Sequence, residues 1–206
     1  MAGCFFMLKV IVIGAPRSGT SLVASIVNEL GFTIEHREAT ESEPGGQWGG
    51  VDVKQIVSAP LFTDKRARVY FRRYKSMGIK IHGFDRRYME DYIIGNYDFK
   101  VVLTNRKTEN VLRSLTQKRM VENKAFSREK ARVFAGRRFK SARLKVERFI
   151  TQCEEKGKTV LPITMEKLIE NPVMHVMRLA AFLGVDDRAK IVSSIALVNP
   201  EYWHHK

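Results

Sequence analysis

An apolar run, Leu8-Lys9-Val10-Ile11-Val12-Ile13, opens directly into Gly14-Ala15-Pro16-Arg17-Ser18-Gly19-Thr20-Ser21, after which Leu22, Val23, Ile26, Val27 and Leu30 recur at helical spacing. A short apolar run bounded by glycine reads as a buried strand, and the recurrence that follows reads as one face of an amphipathic helix. Strand, tight turn and helix in that order commit the chain to a βα unit. The unit also makes a cradle for an anion. Unpaired backbone N–H groups converge at the helix start, the positive end of the helix dipole faces the turn, and Thr20 and Ser21 add hydroxyl donors. A phosphate or sulfate ester fits such a cradle. Ser and Thr also favour helix N-caps for purely structural reasons, so the loop alone leaves both readings open.

The residues inside the turn narrow the choice of anion. Gly14 and Gly19 have the spacing of the nucleotide-triphosphate loop, Gly-x4-Gly-Lys-Ser/Thr, but Thr20 stands where that motif needs lysine. Without the lysine nothing follows a transferred γ-phosphate, which argues against a magnesium–ATP site. One cation, Arg17, lies within the loop, and this suits a metal-free anion beside a guanidinium.

A second anion-binding element follows the run Phe99 to Asn105. Arg106 closes a predicted strand, and Ser114 lies eight residues on, in the second turn of a helix predicted to begin near Thr108. Arg106 by a charge-assisted fork and Ser114 by its hydroxyl could grip one phosphate. A third segment, Val160 to Pro172, leads into a helical pattern over Val173 to Gly184. Pro172 suits a first helical turn and Gly184 a C-cap. This third segment reads as structural rather than chemical.

The Pro-Arg-Ser-Gly-Thr-Ser loop after the first strand, the strand–Arg–x7–Ser–helix element and the Glu166…Asn171-Pro172 segment, in this order, resemble the sulfotransferases that use 3′-phosphoadenosine 5′-phosphosulfate (PAPS). The resemblance spans about residues 8 to 185. It implies that Pro16, Arg17, Ser18, Gly19, Thr20 and Ser21 hold the 5′-phosphosulfate, and that Arg106 and Ser114 hold the 3′-phosphate. No metal is expected. Arg17 stands where many relatives have lysine and would stabilise the departing charge. Lys80-Ile81-His82 is similar to the family's Lys-x-His at a strand end, which makes His82 the expected general base; an unperturbed imidazole titrates in the right range. His36 is the reserve candidate. Gly46 and Trp48 match part of a Gly-x-Trp/Phe-Glu element, but Gly49 replaces its acid, so no carboxylate base is expected there. The chain also departs from the animal cytosolic enzymes by lacking their C-terminal basic glycine-rich segment, which leaves only Tyr202-Trp203 as a guess for the purine.

The expected fold class is α/β: a three-layer α/β/α sandwich with a central parallel sheet, P-loop nucleotide-binding-like. Its strands are predicted at about Leu8–Ile13, Ile79–His82, Lys100–Asn105 and Thr159–Ile163. At 206 residues the chain is expected to form one domain, with an acceptor-side loop at about 35–64 and a basic helical segment at about 107–156. The net charge of +14 is concentrated there: residues 100–148 hold sixteen Lys and Arg against four acids. A charge run on a helix is usually a solvated face, but this density could also steer an anionic cofactor or dock an acidic acceptor. No nucleic-acid motif accompanies it, and Phe134 and Phe139 are expected to face the core. Cys4 and Cys153 have no metal-ligand spacing and read as free thiols. Residues 4 to 15 are too short and too broken for a membrane anchor or signal peptide, so a cytoplasmic enzyme is expected.

The expected activity is sulfuryl transfer from PAPS to a hydroxyl or amine of a small-molecule or glycan acceptor. A nucleoside or nucleotide kinase and a non-catalytic polyanion-binding protein are the alternatives.

Overall fold

The computed structural model describes residues 9–34, 78–81 and 87–198. Four strands form one parallel sheet among them: β1 (Val10–Ile13), β2 (Gly78–Ile81), β3 (Lys100–Asn105) and β4 (Val160–Thr164), in the order β2-β1-β3-β4. Seven helices are described: α1 (Thr20–Glu29), α2 (Arg87–Asn96), α3 (Thr108–Glu122), α4 (Arg128–Glu155), α5 (Met165–Glu170), α6 (Pro172–Leu183) and α7 (Arg188–Ala196). No described helix is long and apolar enough to cross a membrane.

Successive side chains of a strand point to opposite faces of the sheet, and here both faces are covered. Val10, Val12 and Val102 pack with Val23, Ile26, Met165 and Leu179 on one side. Ile11, Ile13 and Val101 pack with Ile93, Val146 and Phe149 on the other. The expected three layers are therefore present, and all four residues of β1 are fully buried at the centre. Pro162 lies in β4, which is at the edge of the sheet among the described residues. A missing N–H is tolerated there.

Helix ends follow local chemistry. Ser127 accepts a hydrogen bond from the Lys130 N–H (3.3 Å) at the start of α4, and Asn171 accepts one from the Met174 N–H (3.1 Å) at the start of α6. Gly184, at φ 79°, ends α6 in the left-handed region.

The crossover from β3 to β4 has a long reach. α4 has 28 residues, or about 42 Å at 1.5 Å per residue, against strands of at most six residues. Because β4 runs parallel to β3, α4 must finish at the sheet's amino edge. Its second half, Val146, Phe149 and Cys153, lies on the sheet. Its first half pairs with α3 through Ala135 and Phe139 against Val111 and Leu115. The α3–α4 hairpin therefore projects past the carboxyl edge.

Two details differ from expectation or extend it. Phe134 does not face the core. It is 39% exposed, because among the described residues this part of α4 packs on α3 alone, and the Arg119 guanidinium covers its ring at 4.3 Å. On the far face of the sheet Glu90 is fully buried and receives two hydrogen bonds from Arg148, at 2.8 and 2.6 Å.

Candidate functional site

In the order β2-β1-β3-β4 the chain leaves β1 for one side of the sheet and returns through β3 on the other. The carboxyl ends of β1 and β3 thus flank the point where strand order reverses, and open α/β sheets bind ligands in that crevice. Both sequence elements singled out for anion binding emerge there.

The first is the turn from Gly14 to Gly19. Arg17 has φ 69° and Gly19 has φ 92°; Arg17 is the one non-glycine residue with positive φ among the described residues. A non-glycine residue held in the left-handed region costs energy and is found where the surroundings over-determine it. Here the surroundings are close. A Cβ on Gly14 would run into the Thr104 side chain and carbonyl and the Ser18 hydroxyl, and one on Gly19 would run into the Met165 side chain. Ser18, 2% exposed, shares a 2.8 Å hydrogen bond with the Thr104 hydroxyl of β3. Gly19 itself caps α1, without any side-chain capping bond. Two hydroxyls here have protein partners: Ser18 pairs with Thr104, and Ser21 accepts from the Lys80 ammonium of β2 at 3.2 Å, which leaves its own O–H free to donate.

The second element meets the first directly. Arg17 Nε donates to the Ser114 hydroxyl of α3 at 2.8 Å, and Arg106 Nη1 donates to the Arg17 carbonyl at 3.3 Å. Ser114 is 1% exposed and Arg17 is exposed, so the guanidinium reaches in from the open side. Burial pulls the Arg106 guanidinium below its ordinary value, Glu166 opposes this, and Arg17 and Arg113 push the same way as burial. Three like charges are thus held near one another. Glu166 accepts hydrogen bonds at 3.1 Å from the Lys107 N–H and at 2.9 Å from Asn110 Nδ2. Burial by itself would raise its carboxyl. The hydrogen bonds from Asn110 and from the Glu166 and Lys107 backbone N–H groups, with the charge of Arg106, bring it below the usual value instead.

Pro16, Arg17, Ser18, Gly19, Thr20 and Ser21 lie in or just after the turn, and Arg106 and Ser114 lie beside it. Sequence reading expected Arg106 and Ser114 to grip one phosphate; the structure places both beside the loop, with Ser114 accepting from Arg17 Nε and Arg106 donating to the Arg17 carbonyl. It missed Lys80 as a loop partner, Thr104, Arg113 and Glu166. A lysine two residues before a candidate base offered a signal for Lys80, and Glu166 lies in the third segment, which reads as structural by sequence; nothing local singles out Thr104 or Arg113. His82, His36, Trp48, the loop at 35–64, Tyr202, Trp203, His204, His205 and Cys4 lie outside the described residues. Cys153 is buried, with its thiol pushed up to about 12 by that burial, and so is inert as a nucleophile at neutral pH.

No protein-family model matches the chain, and no curated protein matches it. Solved structures do. The sulfotransferase domain of the Synechococcus PCC 7002 olefin synthase aligns at a TM-score of 0.58 with 16% identity, covering 96% of this chain and 82% of that one. The sulfotransferase domain from the curacin biosynthetic pathway aligns at 0.59 with 14% identity, covering 91% and 77%. The mouse sulfotransferase SULT7A1, solved in complex with PAP, aligns at 0.54 with 13% identity, covering 93% and 63%. The chain has the sulfotransferase-like α/β fold.

Proposed function

We propose that this chain is a PAPS-dependent sulfotransferase acting on a hydroxyl or amine acceptor. The observation that carries this reading is the joining of the two anion elements at the switch point: Arg17 of the β1 loop bonded to Ser114 of α3, with Arg106 bonded to the Arg17 carbonyl. A loop with hydroxyls and backbone donors, next to a cluster of arginines with no Walker lysine, fits a metal-free nucleotide with two separate anionic groups better than magnesium–ATP. The sulfotransferase fold, and a neighbour solved with PAP, support the same choice.

In this reading residues 1–206 act as one catalytic unit in a reducing, cytoplasmic setting. Pro16 to Ser21 would hold the 5′-phosphosulfate, and Arg106 with Ser114 the 3′-phosphate. When bound, PAPS supplies an activated sulfuryl group and a leaving bisphosphate. Arg17 offsets the charge that grows on the bridging oxygen; a guanidinium stays protonated, so it stabilises charge without donating a proton. Lys80 brings a second cation to the same loop through Ser21. His82, which follows β2 directly in sequence, would take the acceptor proton during in-line attack. The acceptor is a small molecule or a glycan.

Adenosine 3′,5′-bisphosphate should raise the melting temperature without magnesium, because a ligand that binds only the folded state stabilises it. EDTA should leave the shift unchanged. A shift that needs magnesium and appears only with ATP would replace this reading with a kinase. For the base, His82→Ala should lower turnover by roughly 10²–10⁴-fold with bisphosphate affinity kept. Near-normal turnover would remove His82 from the mechanism.

A further inference from the structure

The β4–α5 junction, structural by sequence, touches both halves of the site. Met165 is fully buried, and its thioether lies where any side chain on Gly19 would have to go. Glu166, the next residue, reaches the other half. Its Oε1 accepts from the Lys107 N–H and from Asn110 Nδ2, at the start of the helix that carries Ser114. Lys107 is the N-cap of α3 and supplies no side-chain capping bond. A carboxylate at a helix N-terminus also interacts favourably with the helix dipole. Glu166, in α5, therefore satisfies from a distant element the N-cap's own backbone N–H, as the acidic side chain of a capping box does locally.

Its charge has a second use. Among the described residues, Arg17 and Arg113 repel the Arg106 guanidinium and Glu166 attracts it. Arg106 Nη1 donates to the Arg17 carbonyl, and a cation held near like charges is pushed toward solvent unless a counter-charge opposes it.

We infer that Glu166 is a positioning residue that holds Arg106 and the N-terminus of α3 in place, and thereby sets the preference for 3′-phosphorylated over unphosphorylated adenosine ligands. This rests on the PAPS reading for the identity of the ligand, but not for the effect on Arg106. Glu166 touches no reacting atom. Support of this kind matters because a misplacement of about 1 Å in a binding group can cost on the order of 100-fold.

The test uses Glu166→Gln, which keeps an acceptor for Lys107 and Asn110 but loses the charge. Binding of adenosine 3′,5′-bisphosphate and of adenosine 5′-phosphate is measured by calorimetry. Solvent exchange of the Arg106 Nε–H is followed by nitrogen-15 NMR in the ligand-free protein, with Arg106→Lys giving the assignment. The expected result is a roughly 10- to 100-fold loss for the bisphosphate, no change for the 5′-phosphate, and several-fold faster Arg106 exchange. Tighter bisphosphate binding would show that Glu166 merely repels the ligand, and would overturn the inference. Equal losses for the two ligands, or no loss, would overturn it as well. If the wild-type protein binds neither ligand, the PAPS reading fails and the exchange rate alone decides; unchanged exchange in Glu166→Gln then overturns the positioning role.

Discussion

At the back of the sheet Arg148 donates two hydrogen bonds to the fully buried Glu90. At the carboxyl edge Arg17, Arg106 and Arg113 stand near one another with Glu166 as the opposing charge among the described residues. Both regions use guanidinium groups, yet the first is balanced and the second is not. A charge pair with its acid fully buried is committed to the fold rather than to a ligand. An excess of positive charge at the mouth of a crevice costs stability until an anion arrives, and that is the electrostatic condition for binding one.

The comparison is broken most severely at Arg148. Arg148→Ala leaves the Glu90 carboxylate buried and uncompensated, and should destabilise the fold by about 3–5 kcal/mol in urea unfolding. Where the variant is still folded, bisphosphate affinity should hold. A loss of affinity with stability intact would show that the two regions are not separate.

Arg106→Ala should do the reverse. Stability should fall by less than in Arg148→Ala, since Arg106 is only half-buried and its removal also relieves repulsion from Arg17 and Arg113. Bisphosphate binding should weaken by on the order of 2–5 kcal/mol, and adenosine 5′-phosphate binding far less. Equal losses for both ligands would show that Arg106 does not contact the 3′-phosphate.

Gly19→Ala tests the packing that holds the crowded edge together. It strains a φ of 92° and drives a methyl group into Met165, and should cost about 1–3 kcal/mol of stability. Cofactor affinity should fall with it. A melting temperature equal to wild type would mean that the loop is free to move away from α5.

The smallest effect concerns a residue outside both regions. His175 is 5% exposed, and its pKa is lowered by burial first, then by Arg178 and Lys167. The unfolded chain therefore binds its proton more readily than the native one. Its contribution to stability is complete above the ordinary imidazole pKa of about 6.5 and is lost as pH falls through the lower folded value. His175→Gln should flatten stability against pH in that window. An identical pH dependence in the variant would assign the acid sensitivity to other groups.

Much of the architecture was legible in the chain. The structure keeps β3 at its predicted bounds, shifts β4 by one residue, begins α3 at Thr108, and divides the expected basic helical segment at about 107–156 into α3 and α4. Leu22, Val23, Ile26, Val27 and Leu30 form the inward face of α1. The error at Phe134 has a physical origin. Periodicity shows which residues share a face but not whether a partner lies opposite, and beyond the sheet edge that partner is the Arg119 side chain.

What the sequence determined by itself is what neighbours within a few residues decide: strand runs, helix faces, and caps at Ser127, Asn171 and Gly184. Backbone hydrogen bonding and side-chain period act over one or two turns, so a linear reading captures them. Only the tertiary structure decided that Arg17 bonds Ser114 across 97 residues, that Ser18 meets Thr104 across 86, and that Glu166 reaches Asn110 across 56. Those contacts depend on which strands lie side by side and in what register, and that is settled by how the whole chain buries its apolar faces.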